Sequence, residues 1–180
     1  YIRRLLELDD KEKIYFTTEH GTGGDIFNAK TLCDKAGMHC KYGIEGYIVP
    51  QYFQGENKDN RNYHIVIIPK TNAAREELNV ITSKASIEGF YYRPRLTTQD
   101  MLSLNPADFY ITTACIGGIL KDSDGITRIF EPLVGHFKRN LLLEVQPHLD
   151  ILQVEHNKMC VEFARRYNLP LISACDSHYI

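Results

Sequence analysis

The chain has 180 residues and a formal net charge of −2, with 43% hydrophobic and 24% charged residues, which is the balance of an ordinary globular domain. No apolar run approaches the roughly 20 residues that a membrane-spanning helix needs, and no segment resembles a signal peptide. Lysine and arginine are scattered among acidic residues, so the sequence lacks the basic stripe with which a domain grips duplex DNA.

The five cysteines lie at irregular spacing and include no CxxC pair. An odd count in this arrangement argues against a disulfide framework and against a zinc ribbon. We therefore expect a cytoplasmic protein in a reducing environment.

The first half of the chain opens on a helical pattern at Ile2, Leu5 and Leu6. The predicted elements that follow are a strand at 13–18, a helix at 25–36, a strand at 42–49, a polar surface loop or hairpin at 51–62, a strand at 63–68 and a helix at 72–88. The residues at helical spacing on the core face of the helix at 25–36 are Ile26, Ala29, Leu32, Cys33 and Ala36.

The second half continues the alternation of strands and helices. Its predicted elements are a strand at 108–114, a helical pattern at 126–137 interrupted by Pro132, a strand at 141–146, a helix at 150–167 and a strand at 171–174. The apolar stripe of the helix at 150–167 consists of Leu152, Met159, Cys160, Phe163, Ala164 and Tyr167. Near-continuous apolar strands between helices predict an α/β fold with parallel strands, either doubly wound or a barrel.

Side chains that bind metals fall at or near the strand ends. They are Glu19, His20, Glu45, Cys115, Glu144, Asp176 and His178. Because the carboxyl ends of parallel strands form one face, these residues are expected to converge there. A mixed set of carboxylates, imidazoles and a thiolate suits zinc, manganese or iron.

Plainer interpretations stay open for each of these residues. A histidine after a strand is commonly a hydrogen-bonded loop residue, and Cys115 alone would suit a small core position. Residues 176–178 could cap a following helix. His39, His136 and His156 are predicted to be surface or hydrogen-bonded histidines, whereas His148 follows a strand at the expected active face.

Seven segments resemble, in order, motifs of the PHP domain in the bacterial replicative DNA polymerase III alpha subunit family. They are TTEHGTGGDIF, YGIEGYIVP, YHIVIIPKT, IEGFYYRPR, TTACIGGIL, LEVQPH and SACDSHYI. The combination of EGFYYRPR with ACIGG separates this family from histidinol phosphatases and family X polymerases. Glu19 stands where the family usually has Asp, and Cys175 replaces Asn.

The resemblance implies a distorted TIM-like barrel of about seven β/α units, and we expect residues 1–180 to be a single fragment of such a domain. It also implies a cluster of divalent metals, zinc or manganese or iron. The implied metal ligands are His20, Glu45, His64, Cys115, Asp176 and His178, with His20, Asp176 and His178 as the catalytic residues. The family's opening His-x-His strand has no counterpart here and is expected upstream, and the polymerase regions are expected downstream. We therefore expect the isolated fragment to be inactive.

The function implied by the resemblance is metal-dependent phosphodiester hydrolysis in DNA replication, as 3′-5′ proofreading of single-stranded or primer-terminal DNA. The implied partners are that DNA and the other polymerase III domains and holoenzyme subunits, with no membrane. Two alternatives stay open, a non-catalytic structural module of the polymerase and a free-standing PHP phosphatase. Arg93 and Arg95 could hold a phosphate or could simply pack in their loop.

Overall fold

The computed structural model describes residues 14–52 and 61–178. The helical pattern predicted at Ile2, Leu5 and Leu6 lies outside the described residues, as do the first residue of the strand predicted at 13–18 and most of the loop predicted at 51–62. Among the helices that are described, none combines the length and the apolar character needed to cross a membrane.

Seven strands form one curled sheet, as expected for a distorted, TIM-like α/β fold. The strands are β1 (Ile14–His20), β2 (His39–Val49), β3 (Tyr63–Pro69), β4 (Arg95–Thr97), β5 (Phe109–Thr112), β6 (Leu141–Val145) and β7 (Leu171–Ser173). The order across the sheet is β1-β2-β3-β5-β6-β7, and β4 pairs with β2. Within the described ranges, β1 and β7 are therefore the two edges of the sheet.

The strand β3 runs antiparallel to both of its neighbours, β2 and β5, whereas the other pairs are parallel. The prediction of parallel strands is therefore wrong for β3. An apolar run indicates that a strand is buried on both faces. It does not indicate whether the strand runs parallel or antiparallel to its neighbours, because both arrangements bury it equally. Reversal of β3 brings its first residues to the end of the sheet where β1 finishes.

The helices lie between the strands in the predicted alternation. They are α1 (Ile26–Lys35), α2 (Asn72–Ile87), α3 (Thr98–Ser103), α4 (Ser123–Gly125), α5 (Glu131–Phe137) and α6 (Ile151–Tyr167), with a π-helix at Ile126–Phe130 and a 3-10 helix at Lys138–Asn140. Pro132 falls in the first turn of α5, directly after the π-helix. Because proline has no N–H group, the Arg128 carbonyl four residues earlier accepts a hydrogen bond of 3.0 Å from the Thr98 hydroxyl instead.

The helix α2 follows its sequence pattern closely. The Thr71 side chain accepts a hydrogen bond of 3.1 Å from the Ala74 N–H group and caps the first turn. The buried residues recur at intervals of three or four, which places them on one face against the sheet. They are Ala74, Leu78, Ile81 and Ala85.

Two predicted core positions and one predicted histidine environment are wrong. Leu32 of α1 is 47% exposed and Leu152 of α6 is 68% exposed. In α6 the buried face is rotated, so that Gln153 and His156 lie inward with Cys160 and Ala164. His156 is buried and its Nε2 atom has no hydrogen-bond partner, so this histidine is neither a surface nor a satisfied one, and burial lowers its pKa.

A buried carboxylate joins α3 to α2. The Asp100 side chain accepts hydrogen bonds from the Thr97 N–H group at 2.8 Å, from the Thr97 hydroxyl at 2.7 Å and from Lys84 Nζ at 2.6 Å. The Thr97 oxygen in turn caps the Asp100 N–H group at 3.1 Å. Burial works to raise the pKa of Asp100, but these hydrogen bonds outweigh it and leave the pKa below its ordinary value.

Replacing Asp100 with Asn should lower the free energy of unfolding at neutral pH by about 1–3 kcal/mol, because a charged acceptor of three hydrogen bonds is lost. A carboxyl group whose pKa falls on folding stabilises above its unfolded pKa, and that contribution disappears as pH falls through the folded value. The difference from the parent protein should therefore shrink below about pH 4. Denaturant unfolding across pH measures it. The control is the exposed Asp34→Asn, which loses a surface pair with Lys30 and should change stability by under about 0.5 kcal/mol.

Candidate metal centre

Three neighbouring strands bring His20, Glu45 and His64 together. Glu45 lies opposite His20 in the parallel pairing of β1 with β2. In the antiparallel pairing of β2 with β3, Tyr47 lies opposite His64. Because alternate residues of a strand share a face, Glu45, Tyr47 and His64 point to the same side of the sheet.

The carboxylate of Glu45 contacts both imidazoles. Its Oε1 atom lies 2.7 Å from His64 Nδ1, and its Oε2 atom lies 3.6 Å from His20 Nδ1. One potential ligand atom from each of the three residues falls within 4.8 Å of the others. A divalent ion with ligand distances of about 2.0–2.3 Å fits between atoms at that separation.

Cys115, Asp176 and His178 adjoin this group through single contacts. Cys115 Sγ lies 3.5 Å from His64 Nδ1, and His178 Nε2 lies 2.9 Å from His20 Nε2. The Asp176 carboxylate lies 3.6 Å from His178 Nδ1, and the Asp176 carbonyl oxygen lies 2.8 Å from the same atom. The His64 N–H group donates to the Gly117 carbonyl at 3.1 Å, which fixes the Cys115 loop beside β3.

A cavity of about 590 Å³ opens at this end of the sheet, between β1 and β7. The acidic and metal-binding side chains that line it are Glu19, His20, Asp25, Glu45, Cys115, Glu144, Cys175, Asp176 and His178. The side chains of His20 and His178 are 40% and 46% exposed, whereas Glu45 is buried. The group is therefore anchored inside the fold and open to solvent on one side.

The contacts within the group set its protonation. Burial works to raise the pKa of Glu45, but the hydrogen bond to His64 and the charges of the neighbouring histidines outweigh burial and lower it. The hydrogen bonds that join His64 to Cys115 and Glu45 raise the pKa of its imidazole to about 9. Near neutral pH the buried Glu45 carboxylate is thus paired with a protonated His64 imidazole. The surroundings of Glu45 therefore favour a positive charge.

Glu144 is a second buried carboxyl group in the cavity and has different partners. Its carboxylate accepts a hydrogen bond of 2.6 Å from the Thr112 hydroxyl and one of 3.0 Å from the Gln146 amide. Burial raises its pKa; the two neutral donors work against that change, while the charges of Asp176 and Glu45 add to it.

The structure brings all six residues of the predicted ligand set to one end of the sheet, although only His20, Glu45 and His64 form a compact group among the described residues. Strand-end spacing alone missed His64, because this residue opens a reversed strand. His148 is exposed and does not line the cavity. The Glu19 carboxylate lines the cavity and accepts 3.1 Å from the Asp25 N–H group.

Comparisons with known proteins agree with this geometry. The family model of the PHP domain matches residues 9–148. DNA polymerase III subunit alpha of Borreliella burgdorferi is 29% identical over 175 residues, and that of Treponema pallidum is 26% identical over 174 residues. The alignments cover 91% and 90% of this chain and 15% of each relative. The chain thus spans about 15% of the length of these curated relatives.

A solved structure from Bifidobacterium adolescentis, described as a metal-dependent phosphoesterase, shares the fold. The two structures superpose with a TM-score of 0.54 over 99% of this chain and 81% of the other, at 11% identity.

Replacing Glu45 with Gln should weaken the binding of manganese or zinc at least tenfold, because the carboxylate between the two imidazoles loses its charge. Since an ion that binds only the folded state stabilises it in proportion to the logarithm of its affinity, each tenfold loss removes about 1.4 kcal/mol of stabilisation. Calorimetric titration and the metal-induced rise in Tm measure both effects. The control is Glu144→Gln, whose partners Thr112 and Gln146 are neutral, and it should retain most of the affinity. Equal losses in the two variants would contradict the assignment of the site to Glu45.

Proposed function

The chain belongs to the PHP domain family, and from this premise we propose that it serves a DNA polymerase III alpha subunit as a metal-dependent phosphodiesterase. The proposed reaction is hydrolysis of the last phosphodiester bond at the 3′ end of single-stranded or primer-terminal DNA, as in proofreading. The proposal is carried by the convergence of His20, Glu45 and His64, whose ligand atoms lie within 4.8 Å of one another, next to a cavity of about 590 Å³ that His20 and Glu45 line.

The donor set fits divalent metals. We assign His20, Glu45, His64, Cys115, Asp176 and His178 as the residues that would hold them, with zinc, manganese or iron as the candidate ions. Imidazole nitrogen, carboxylate oxygen and thiolate sulfur together suit these ions better than magnesium or calcium, which prefer oxygen alone. When bound, such ions polarise a phosphate and lower the pKa of a water molecule.

The residues of the chain supply order and charge around that chemistry. Glu45 contacts the Nδ1 atom of both imidazoles, while the Nε2 atom of His20 faces the Nε2 atom of His178 at 2.9 Å. Glu144 and Asp176 add negative charge to the cavity, which by itself repels a phosphodiester. Binding of a nucleic-acid end there consequently depends on cations held at the proposed metal ligands.

The exposure of the site favours catalysis over a purely structural metal. Structural zinc sites are closed by four protein ligands, whereas catalytic sites keep a position for water or substrate. Here His20 and His178 remain 40% and 46% exposed beside the cavity. A catalytic role for His20, Asp176 and His178 follows from their position on the solvent side of Glu45.

The setting of the reaction follows from the relatives. We assign the other polymerase III domains, the holoenzyme subunits and DNA as partners of this chain, and the cytoplasm as its location, on the basis of matches to alpha subunits that are several times longer.

Replacing His178 with Ala in an alpha subunit that carries this sequence should reduce manganese-dependent cleavage of a 5′-labelled single strand at least a hundredfold, because an exposed ligand of the cavity is lost. Asp176→Ala should act similarly. Gel analysis of the shortened products measures the rate. The matched control is His148→Ala, since His148 is exposed outside the cavity, and it should keep the parent activity. A folded, metal-loaded parent protein without nuclease activity would refute the enzymatic proposal and favour a structural role.

A further inference from the structure

The segment 90–94 approaches the candidate metal centre from β4. In the sheet, β1 pairs with His39–Glu45 of β2, and β4 pairs with the next residues of β2, from Tyr47 to Val49. The strand β4 therefore continues the line of β1 along the same edge. Residues 90–94, which lead into β4, lie where His20 ends β1.

Close packing fixes this segment against the site. Gly21, which follows His20, has a φ of +67°, and a Cβ atom there would lie 3.0 Å from Pro94 and 3.2 Å from the Tyr47 ring. The space between the end of β1 and Pro94 is therefore filled. Tyr92 has a φ of 59°, a conformation that is costly for a bulky residue and indicates that the surroundings hold the turn in place.

Arg93 is linked to the metal centre through Tyr47. Its guanidinium carbon lies 4.5 Å from the Tyr47 ring centroid. The same ring lies 6.0 Å from the His20 ring, nearly parallel to it, and 5.3 Å from the His64 ring. Arg93 is exposed, and no carboxylate among the residues the structure describes lies within ion-pair distance of it.

Arg95 has a different role from Arg93. It is buried, and its Nε–H group donates to the Gly89 carbonyl at 3.1 Å. Its guanidinium carbon lies 5.1 Å from the Tyr91 ring centroid, and the Tyr91 ring packs edge-on against Tyr92 at 4.7 Å. Arg95 thus supports the segment from inside, while Tyr92 remains 77% exposed.

We propose that Tyr92 and Arg93 form a subsite for the nucleotide next to the scissile bond, with its base stacked on Tyr92 and its phosphate bound by Arg93. This inference rests on the proposed function, which identifies the ligand as a single strand of DNA. Tyr92 and Arg93 are neighbours in the chain and both are exposed. An aromatic ring on which a base can stack and an arginine that can bind a phosphate are the groups with which proteins hold single strands without reading sequence. It selects an unpaired end, because a base within a duplex cannot stack on a side chain.

The charge of the domain favours a local subsite of this kind. With a net charge of −2, the chain has no long-range attraction for DNA. The cavity itself is lined by Glu19, Glu45, Glu144 and Asp176. Arg93, held by its cation–π contact on the Tyr47 ring next to His20 and His64, supplies a positive charge that can bind one phosphate of the strand.

The test measures binding of a short, fluorescently labelled oligothymidylate whose 3′-terminal linkage is a phosphorothioate, with manganese present, over a range of salt. Arg93→Ala should weaken binding about tenfold. It should also reduce the slope of log affinity against log salt by about 0.7, the value for one phosphate contact on a single strand. Tyr92→Ala should weaken binding similarly without changing the slope, while Tyr92→Phe keeps the parent affinity. A duplex of the same length should bind without dependence on Tyr92.

The matched control is Arg166→Ala. Arg166 is also an exposed arginine over a tyrosine ring, 5.3 Å from the Tyr167 centroid, but it lies at the end of α6 that precedes β7. Its replacement should leave affinity and slope unchanged. Arg93→Lys, which retains the charge, should retain the slope.

The subsite would be overturned by unchanged binding in Arg93→Ala, by unchanged binding in Tyr92→Ala, or by no measurable binding by the parent chain. A loss in Arg166→Ala equal to that in Arg93→Ala would also overturn it, because binding would then reflect overall charge. Cleavage of an unmodified strand separates this inference from the proposed function. Strand binding that depends on Arg93, together with no cleavage by the alpha subunit that carries this sequence, would refute the hydrolytic function and leave the subsite standing.

Discussion

The buried carboxylate of Glu45 is the constraint on which the rest of the site depends. A carboxylate that is 5% exposed is expensive to bury unless charged or hydrogen-bonding partners surround it. Its partners come from two other strands, so β1 and β3 must both hold their registers against β2 for the charge to be compensated. A shift of either strand by one residue would turn His20 or His64 to the opposite face and leave the carboxylate unpaired.

The direction of β3 follows from the same requirement. Reversed between β2 and β5, β3 places the beginning of its chain beside the ends of β1 and β2, and His64 meets Glu45 there at 2.7 Å. The same end receives the Cys115 loop through the hydrogen bond from the His64 N–H group to Gly117. Residues that are distant in sequence thus converge because the sheet mixes strand directions. If β3 were parallel to β2, His64 would lie at the opposite end of the strands.

The sequence predicts the alternation of strands and helices and, through its motifs, the group of residues at the cavity. It does not predict which helical face is buried, since Leu32 and Leu152 are apolar residues at helical spacing that remain exposed. The spacing of apolar residues shows which side of a helix is apolar, but the neighbouring elements decide which of those residues become buried. The strand β4 is missed because its three residues are too few to form a pattern. The spacing of residues in the sequence also cannot predict the contact of Arg93 with Tyr47. That contact arises because β1 and β4 pair with successive parts of β2.

Two buried carboxyl groups in one cavity show how partners rather than burial alone determine charge. Burial acts to raise the pKa of both Glu45 and Glu144. Histidines that can carry positive charge surround Glu45, and its pKa falls. A neutral hydroxyl and a neutral amide bind Glu144 while Asp176 and Glu45 repel its charge, and its pKa rises. The pKa shifts of the two groups are therefore opposite. Glu45 is held in its charged form, which suits it to bind cations, whereas Glu144 takes up a proton more readily. The cavity therefore concentrates its negative charge beside the two imidazoles.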